Sequence, residues 1–118
     1  MKPGEKVITE KVSDWLTLDQ VADQLGLSTG KVRRLIEEHV LFAVKIDKEP
    51  KVPAHLLING EPLSSIRGTM LMLLDLGLDE VEAIDWLYTE NDDLGEMPID
   101  ALLKGHKAPV RRAAQTLG

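Results

Sequence analysis

Residues 15–38, WLTLDQVADQLGLSTGKVRRLIEE, constrain the fold more than any other stretch of this chain. Thr17 and Gln20 have the spacing of a capping box, which predicts a helix start after Thr17. Apolar residues then recur at i, i+3, i+4 and i+7, as Leu18, Val21, Ala22 and Leu25. Gly26 predicts the helix end, so a short amphipathic helix is expected between Thr17 and Gly26.

A second short helix is predicted directly after the turn Gly26-Leu27-Ser28. The hydroxyl of Ser28 can cap this helix, and its buried face is predicted to consist of Val32, Leu35 and Ile36. Two short helices joined by a tight, glycine-containing turn are typical of a helix-turn-helix.

The residues after these helices have the composition of a small hairpin. FAVKI favours a strand, DKEP predicts a turn that contains Pro50, and KVP resumes an extended segment. A hairpin of this size and place is typical of a wing, here residues 42–53, after a recognition helix at 29–38. Asn59-Gly60, followed by Pro62, then predicts a joint in the chain.

Beyond that joint the pattern is helical. SSIRGTMLMLLDLG is apolar on nearly all sides, Asp79 with Glu82 gives a second capping signal, and Leu117 is predicted to lie inward on the last helix. The predicted fold class is mainly α, a winged helix-turn-helix with a small β-hairpin wing and a C-terminal helical extension. The predicted domains are a flexible tail (1–13), a winged helix-turn-helix (14–60) and a helical domain (61–118).

Charge is distributed unevenly along the chain, whose formal net charge is -6. Residues 1–60 hold nine Lys/Arg and nine Asp/Glu, whereas residues 61–118 hold five and eleven. Residues 75–100 contain ten Asp/Glu and no Lys or Arg. The acidity, which disfavours approach to a polyanion, therefore belongs to the second half and leaves a DNA-binding first half open.

The first turn of the second helix departs from the rules for helix stability. Lys31 occupies a position where the helix dipole favours an acid, and Gly30 costs about 1 kcal/mol relative to Ala. Both choices are explained if this turn lies against a phosphate backbone. Arg34 points outward and is the candidate for a bidentate contact to guanine, with Arg33 beside it.

Three structural alternatives remain open at these cations. The basic face of the helix could simply be solvated, and Glu37 and Glu38 could pair with Arg33 and Arg34 at i+4. The wing lysines, Lys45, Lys48 and Lys51, could touch phosphates, or they could protect a strand edge from pairing with another chain.

No catalytic, metal-binding or membrane-spanning pattern is visible. The chain has no cysteine, and His39, His55 and His106 lack metal-ligand spacing, so no enzyme activity, cofactor or metal is predicted. Aromatic residues make up only 3%, which disfavours a surface that stacks single-stranded bases and leaves duplex partners open. A cytoplasmic, nucleoid-associated protein without membrane contact is expected.

The stretch WLTLDQVADQLGLSTGKVRRLIEEHVLFAVKIDKEPKVP resembles the winged helix-turn-helix of the MerR and excisionase type. The second half, from SSIRGTM onward, is similar to the C-terminal domain of a small actinobacterial family of winged DNA-binding proteins. The resemblance implies transcriptional regulation. The predicted DNA-binding residues are Ser28, Thr29, Lys31, Arg33, Arg34, Lys45, Lys48 and Lys51.

The resemblance also implies two protein partners. The order WLYTENDDLGEMPIDALLKG is similar to the toxin-binding domain of Xre/ParS-type antitoxins, which makes an antitoxin with a partner at its acidic C-terminal domain the alternative function. The family is associated with Ser/Thr protein kinases through a threonine near the N-terminus, and Thr9 is the matching phosphorylation position.

Overall fold

The computed structural model describes residues 11–117. The chain divides into two compact units, one of which is Val12–Arg67, while the other contains Gly68–Gly118. Thr9 lies outside the described residues. Val12 is buried at 4% exposure, and its carbonyl accepts a hydrogen bond from the Trp15 indole at 3.1 Å, so ordered structure begins before Trp15.

The first unit contains the two predicted helices, α1 (Leu18–Leu25) and α2 (Thr29–Glu37), which pack against each other. Thr17 caps α1 as predicted: its hydroxyl accepts from the Gln20 amide at 3.2 Å, and the Gln20 side chain accepts from the Thr17 amide at 2.9 Å. Gly26 ends α1 in the left-handed region, with φ 69°. Glu38 is the C-terminal cap of α2, so the helix ends one residue before the predicted bound.

A three-stranded antiparallel sheet stands where the sequence predicted a two-stranded wing. Its strands are β1 (Trp15–Thr17), β2 (Val44–Ile46) and β3 (Glu49–Pro53), in the order β1-β3-β2. Pro50 pairs only with β2 and Pro53 only with β1, whereas Lys51 has a partner on both sides. Each proline thus stands where β3 has a single neighbour, which suits a residue without an N–H donor.

The predicted wing therefore needs two corrections. Pro50 lies in β3, and the turn consists of Asp47 and Lys48, with φ values of 53° and 70° that match a type I′ hairpin turn. Phe42 belongs to no strand and is fully buried, because its side chain contributes to the core instead of to an exposed hairpin.

The first unit continues through a 3₁₀ turn, Ala54–Leu56, into a second hairpin of β4 (Leu57–Ile58) and β5 (Glu61–Pro62). Asn59 and Gly60 form the tight turn between these strands, with φ values of 53° and 77°. A Cβ added at Gly60 would lie 3.4 Å from the Gln24 carbonyl oxygen, so this turn approaches the end of α1 closely.

The second unit is helical. It consists of α3 (Ile66–Asp75, whose first two residues belong to the first unit), α4 (Glu80–Leu87), α5 (Pro98–Leu103) and α6 (Lys107–Gln115). Tyr88 is buried just after α4, and this burial raises the pKa of its phenol above the ordinary value. Leu117 is 45% exposed, so its predicted inward position is wrong. It follows the end of α6 and no longer takes part in that helix's periodic packing.

Candidate nucleic-acid interface

Helix α2 is held by its buried face and its cap, and its other face is open to solvent. Val32 is fully buried, and the Ser28 hydroxyl accepts a hydrogen bond from the Lys31 amide at 3.2 Å. Arg33 and Arg34 are exposed, as the helical periodicity predicted. The helix therefore presents both guanidinium groups from a fixed backbone.

The first turn of α2 contains no acidic residue. A Cβ added at Gly30 would meet only the Ser28 hydroxyl, at 3.8 Å, so packing inside the protein does not require glycine there. The exposed glycine leaves room for another molecule to approach the backbone beside Lys31.

The cations of this region are available for an external anion. Lys31, Arg33, Arg34, Lys45 and Lys48 are exposed. No carboxylate of residues 11–117 lies within 4.0 Å of these side chains; the ion pair found in this part of the chain joins Lys104 to Glu96. The intrahelical pairs of Glu37 and Glu38 with the two arginines, which the sequence left open, are not formed.

The structure separates the three wing lysines. Lys45 stands opposite Pro50, whereas Lys51 stands opposite Val44. Because residues opposite each other share a face and neighbours along a strand alternate, Lys45 and Lys51 lie on different faces of the sheet. Lys51 is also half-buried, as is Thr29 on α2.

The wing tip is less cationic than the sequence interpretation assumed. Lys48 is exposed in the turn, but the exposed residues Asp47 and Glu49 flank it. Both acids are visible in the sequence. Because the turn places them beside Lys48, they reduce the positive charge of the wing tip. The strongest cluster of unpaired cations in this unit is therefore on α2.

The rest of the described chain contains neither a metal site nor a membrane span. Among residues 11–117, no group of three or more His, Cys, Asp or Glu residues could hold a metal ion. None of the helices in this same range is long and apolar enough to cross a bilayer.

Two family models match this chain, one for each half. Residues 3–57 match the wHTH domain of DNA-binding protein Rv2175c, and residues 63–118 match the Rv2175c C-terminal domain of unknown function. The first match includes α1, α2 and the three-stranded sheet, and the second includes the four later helices.

A relative and a solved structure agree with both matches. DNA-binding protein Rv2175c of Mycobacterium tuberculosis is 28% identical, and the match covers 85% of this chain and 77% of that protein. The NMR structure of Rv2175c superposes with a TM-score of 0.77 at 27% identity, covering 90% of this chain and 82% of that one. The predicted fold class is confirmed, and the chain belongs to the Rv2175c family, in which a winged helix-turn-helix domain precedes a C-terminal domain of unknown function.

Proposed function

We propose that this protein binds duplex DNA through α2, with the wing as an accessory contact, and acts as a transcriptional regulator. The observation that carries the proposal is the exposed face of α2, where Lys31, Arg33 and Arg34 have no carboxylate partner among residues 11–117. The relative is named as a DNA-binding protein, and this name and the matched wHTH domain support the same ligand. The likeness to the MerR and excisionase type stays a prediction.

In the proposed complex α2 lies in the major groove. Arg34 is suited to donate two hydrogen bonds to a guanine edge, because its guanidinium is planar and exposed. Lys31, close to the helix start and beside Gly30, is suited to a phosphate. Lys48 at the wing tip is proposed to contact an adjacent phosphate, and the exposed acids Asp47 and Glu49 beside it weaken that contact.

The net charge of -6 does not prevent this contact. Ten of the twenty acids lie in residues 75–100, which contain no part of the first unit. At about 0.1 M salt the Debye length is roughly 10 Å, so association responds mainly to charges near the contacting surface. That surface is cationic along α2.

A salt titration of binding to a random-sequence duplex tests the proposal. The logarithm of the binding constant should fall with the logarithm of salt concentration, with a slope of about -3 to -5 if most of the five exposed cations contact phosphates. The double variant Arg33→Ala/Arg34→Ala should flatten the slope by about one, because Arg33 contacts a phosphate while Arg34 contacts a base. The matched control Arg67→Ala/Lys104→Ala removes one cation from α3 and one from the end of α5, and its slope should stay near that of the parent. A parent slope near zero contradicts DNA binding.

Phosphorylation is proposed as the control of DNA binding. A phosphate on Thr9 adds about -1.5 to -2 charge at pH 7, which opposes association with a polyanion. Thr9→Glu should therefore weaken binding at fixed salt, and Thr9→Gln should not. Because Val12 is buried, a truncation control must stop at residue 10. If that truncation loses most of the affinity, Lys2 and Lys6 themselves contact DNA.

The antitoxin alternative rests on the resemblance of residues 86–105 to a toxin-binding domain, and its proposed toxin surface is the acidic segment, residues 75–100. Glu80 and Asp92 are exposed, and neither pairs with a cation among residues 11–117. If this surface binds a toxin, a co-expressed partner should co-purify, and Glu80→Lys/Asp92→Lys should release it with DNA affinity unchanged. Recovery of the protein alone from its native cytosol favours the regulator.

A further inference from the structure

Helix α6 carries a second set of unpaired cations, on the unit whose role the family description leaves open. Its inner face is fully or nearly fully buried, through Val110, Ala113 and Ala114. Lys107, Arg111 and Arg112 are exposed, and none of them has a carboxylate of residues 11–117 within 4.0 Å. A firmly packed helix thus displays three cations to solvent.

The residue pattern of α6 repeats that of α2. Both helices have nine residues, and both read Val-Arg-Arg at their fourth to sixth positions. In each helix that valine is fully buried and both arginines are exposed. The second position is an exposed small residue in both, Gly30 and Ala108. The same backbone geometry therefore presents the same pair of guanidinium groups beside a position that permits close approach.

The residues next to α6 in sequence include fewer acids than those next to α2. Residues 104–117 include no Asp or Glu, whereas α2 ends with Glu37 followed by Glu38. Lys104 is already engaged, because its ammonium donates to the Glu96 carboxylate at 2.6 Å, a hydrogen bond that raises the pKa of Lys104. The other three cations remain for an external anion.

The start of α6 also lacks the groups that normally stabilise a helix. Its first turn has no acid, His106 makes no side-chain capping bond, and Lys107 stands at the positive end of the dipole. Each feature lowers helix stability slightly without a structural gain on the described chain. Such departures are expected where a surface is selected for binding.

We infer that α6 is a second DNA-contacting surface, which binds the phosphodiester backbone of duplex DNA and reads no base sequence. The inference rests on the proposed function for its ligand class and adds a site on the C-terminal domain. A polyanion fits because it supplies closely spaced charges to Lys107, Arg111 and Arg112 together. If α2 and α6 engage one duplex together, the second contact forms at a high effective concentration and strengthens binding.

Salt titrations of the full chain on a random-sequence duplex test this inference. Arg111→Ala/Arg112→Ala should reduce the magnitude of the slope by about two, since each lost phosphate contact contributes about 0.9. The control Arg67→Ala/Lys104→Ala, which removes the same charge, should leave the slope near that of the parent. Both arginines are exposed and alanine favours helix, so circular dichroism should show an unchanged fold.

The same titration of Arg33→Ala/Arg34→Ala separates the two hypotheses. If the magnitude of the salt slope falls only in Arg33→Ala/Arg34→Ala, the proposed function stands and the inference about α6 is wrong. If only the α6 variant loses slope, α6 is the DNA site and the proposed role of α2 is wrong. If Arg67→Ala/Lys104→Ala reduces the slope as much as Arg111→Ala/Arg112→Ala does, the inference is overturned, because net charge alone would then set the slope.

Sedimentation of the same variants tests a competing occupant of α6, the acidic segment of a second copy. If Arg111→Ala/Arg112→Ala changes the association state and leaves the DNA slope intact, α6 binds protein and the inference is overturned. An unchanged association state together with a reduced slope supports it.

Discussion

Helices α2 and α4 are similar in length and differ in how they begin. In α4, Asp79 accepts from the Glu82 amide at 2.8 Å, and the Glu82 side chain accepts from the Asp79 amide at 2.9 Å. Glu80 adds another acid to the first turn of α4. In α2, Ser28 gives a single capping bond, and the first turn contains Gly30 and Lys31 with no acid.

The difference agrees with the proposed function, because α4 is capped for stability whereas α2 loses some stability in its exposed first turn. The capping box and acids of α4 satisfy its amide groups and complement its dipole. In α2 the glycine costs about 1 kcal/mol and the lysine a few tenths more. Both losses fall on the exposed face, where packing inside the unit cannot explain them.

Burial gives the same contrast. Ala83, Ile84 and Leu87 of α4 are buried, and Tyr88 follows at 1% exposure. In α2 only Val32 is buried, while Leu35 and Ile36 are half-buried. Substitutions in α4 should therefore act mainly on stability, and those on the outer face of α2 mainly on binding.

The largest effect should come from Leu87→Ala. Leu87 is fully buried, and removing such a side chain costs about 2–5 kcal/mol of unfolding free energy. Urea denaturation followed by circular dichroism should show the loss, while the folded protein binds DNA with its original affinity. A folded Leu87→Ala variant that no longer binds DNA would contradict the contrast between α2 and α4, because α4 would then take part in binding.

Arg34→Ala should have the next largest effect, on sequence discrimination. If Arg34 reads a base, discrimination between a selected site and random duplex should fall by about 1–3 kcal/mol at fixed salt. Unfolding should change by less than about 0.5 kcal/mol, because the side chain is exposed. Lys48→Ala, the matched wing variant, should weaken all sequences alike. Equal losses on every sequence from both variants would make Arg34 a phosphate contact.

Removing the cap of α4 or the cap of α2 should lower stability similarly but should affect DNA binding differently. Asp79→Ala and Ser28→Ala each remove a side-chain cap, which costs about 0.5–2 kcal/mol, with Asp79 at the upper end because its capping box is lost. Only Ser28→Ala should also weaken DNA binding, since the start of α2 then frays. A loss of binding from Asp79→Ala at a temperature where the protein is folded contradicts this contrast.

Local signals in the sequence predicted the helix starts. The caps at Thr17, Ser28 and Asp79 were identified from spacing alone and are formed, because each depends on residues within three positions of one another. The exposed positions of Arg33 and Arg34 followed from helical periodicity for the same reason.

Long-range pairing was not predictable in the same way. Trp15–Thr17 pairs with a strand more than thirty residues later, and its three residues contain no period from which a strand can be recognised. The wing turn was misplaced because proline often marks turns, whereas Asp47 and Lys48 adopt the left-handed region here. The opposite faces of Lys45 and Lys51 depend on that register and follow only from the structure.

The smallest effect, and the sharpest test of the comparison, is expected from a glycine in α2. Gly30 and Gly68 both lie in the first turn of a helix, and neither has a neighbour that a Cβ would displace. Gly30→Ala and Gly68→Ala should each raise the unfolding free energy by about 0.5–1 kcal/mol, because alanine favours the helix. If Gly30 permits close approach of a phosphate, only Gly30→Ala should weaken DNA binding while it stabilises the fold. Unchanged binding in both variants would remove the functional explanation for Gly30 and leave Lys31 as the remaining anomaly of the first turn.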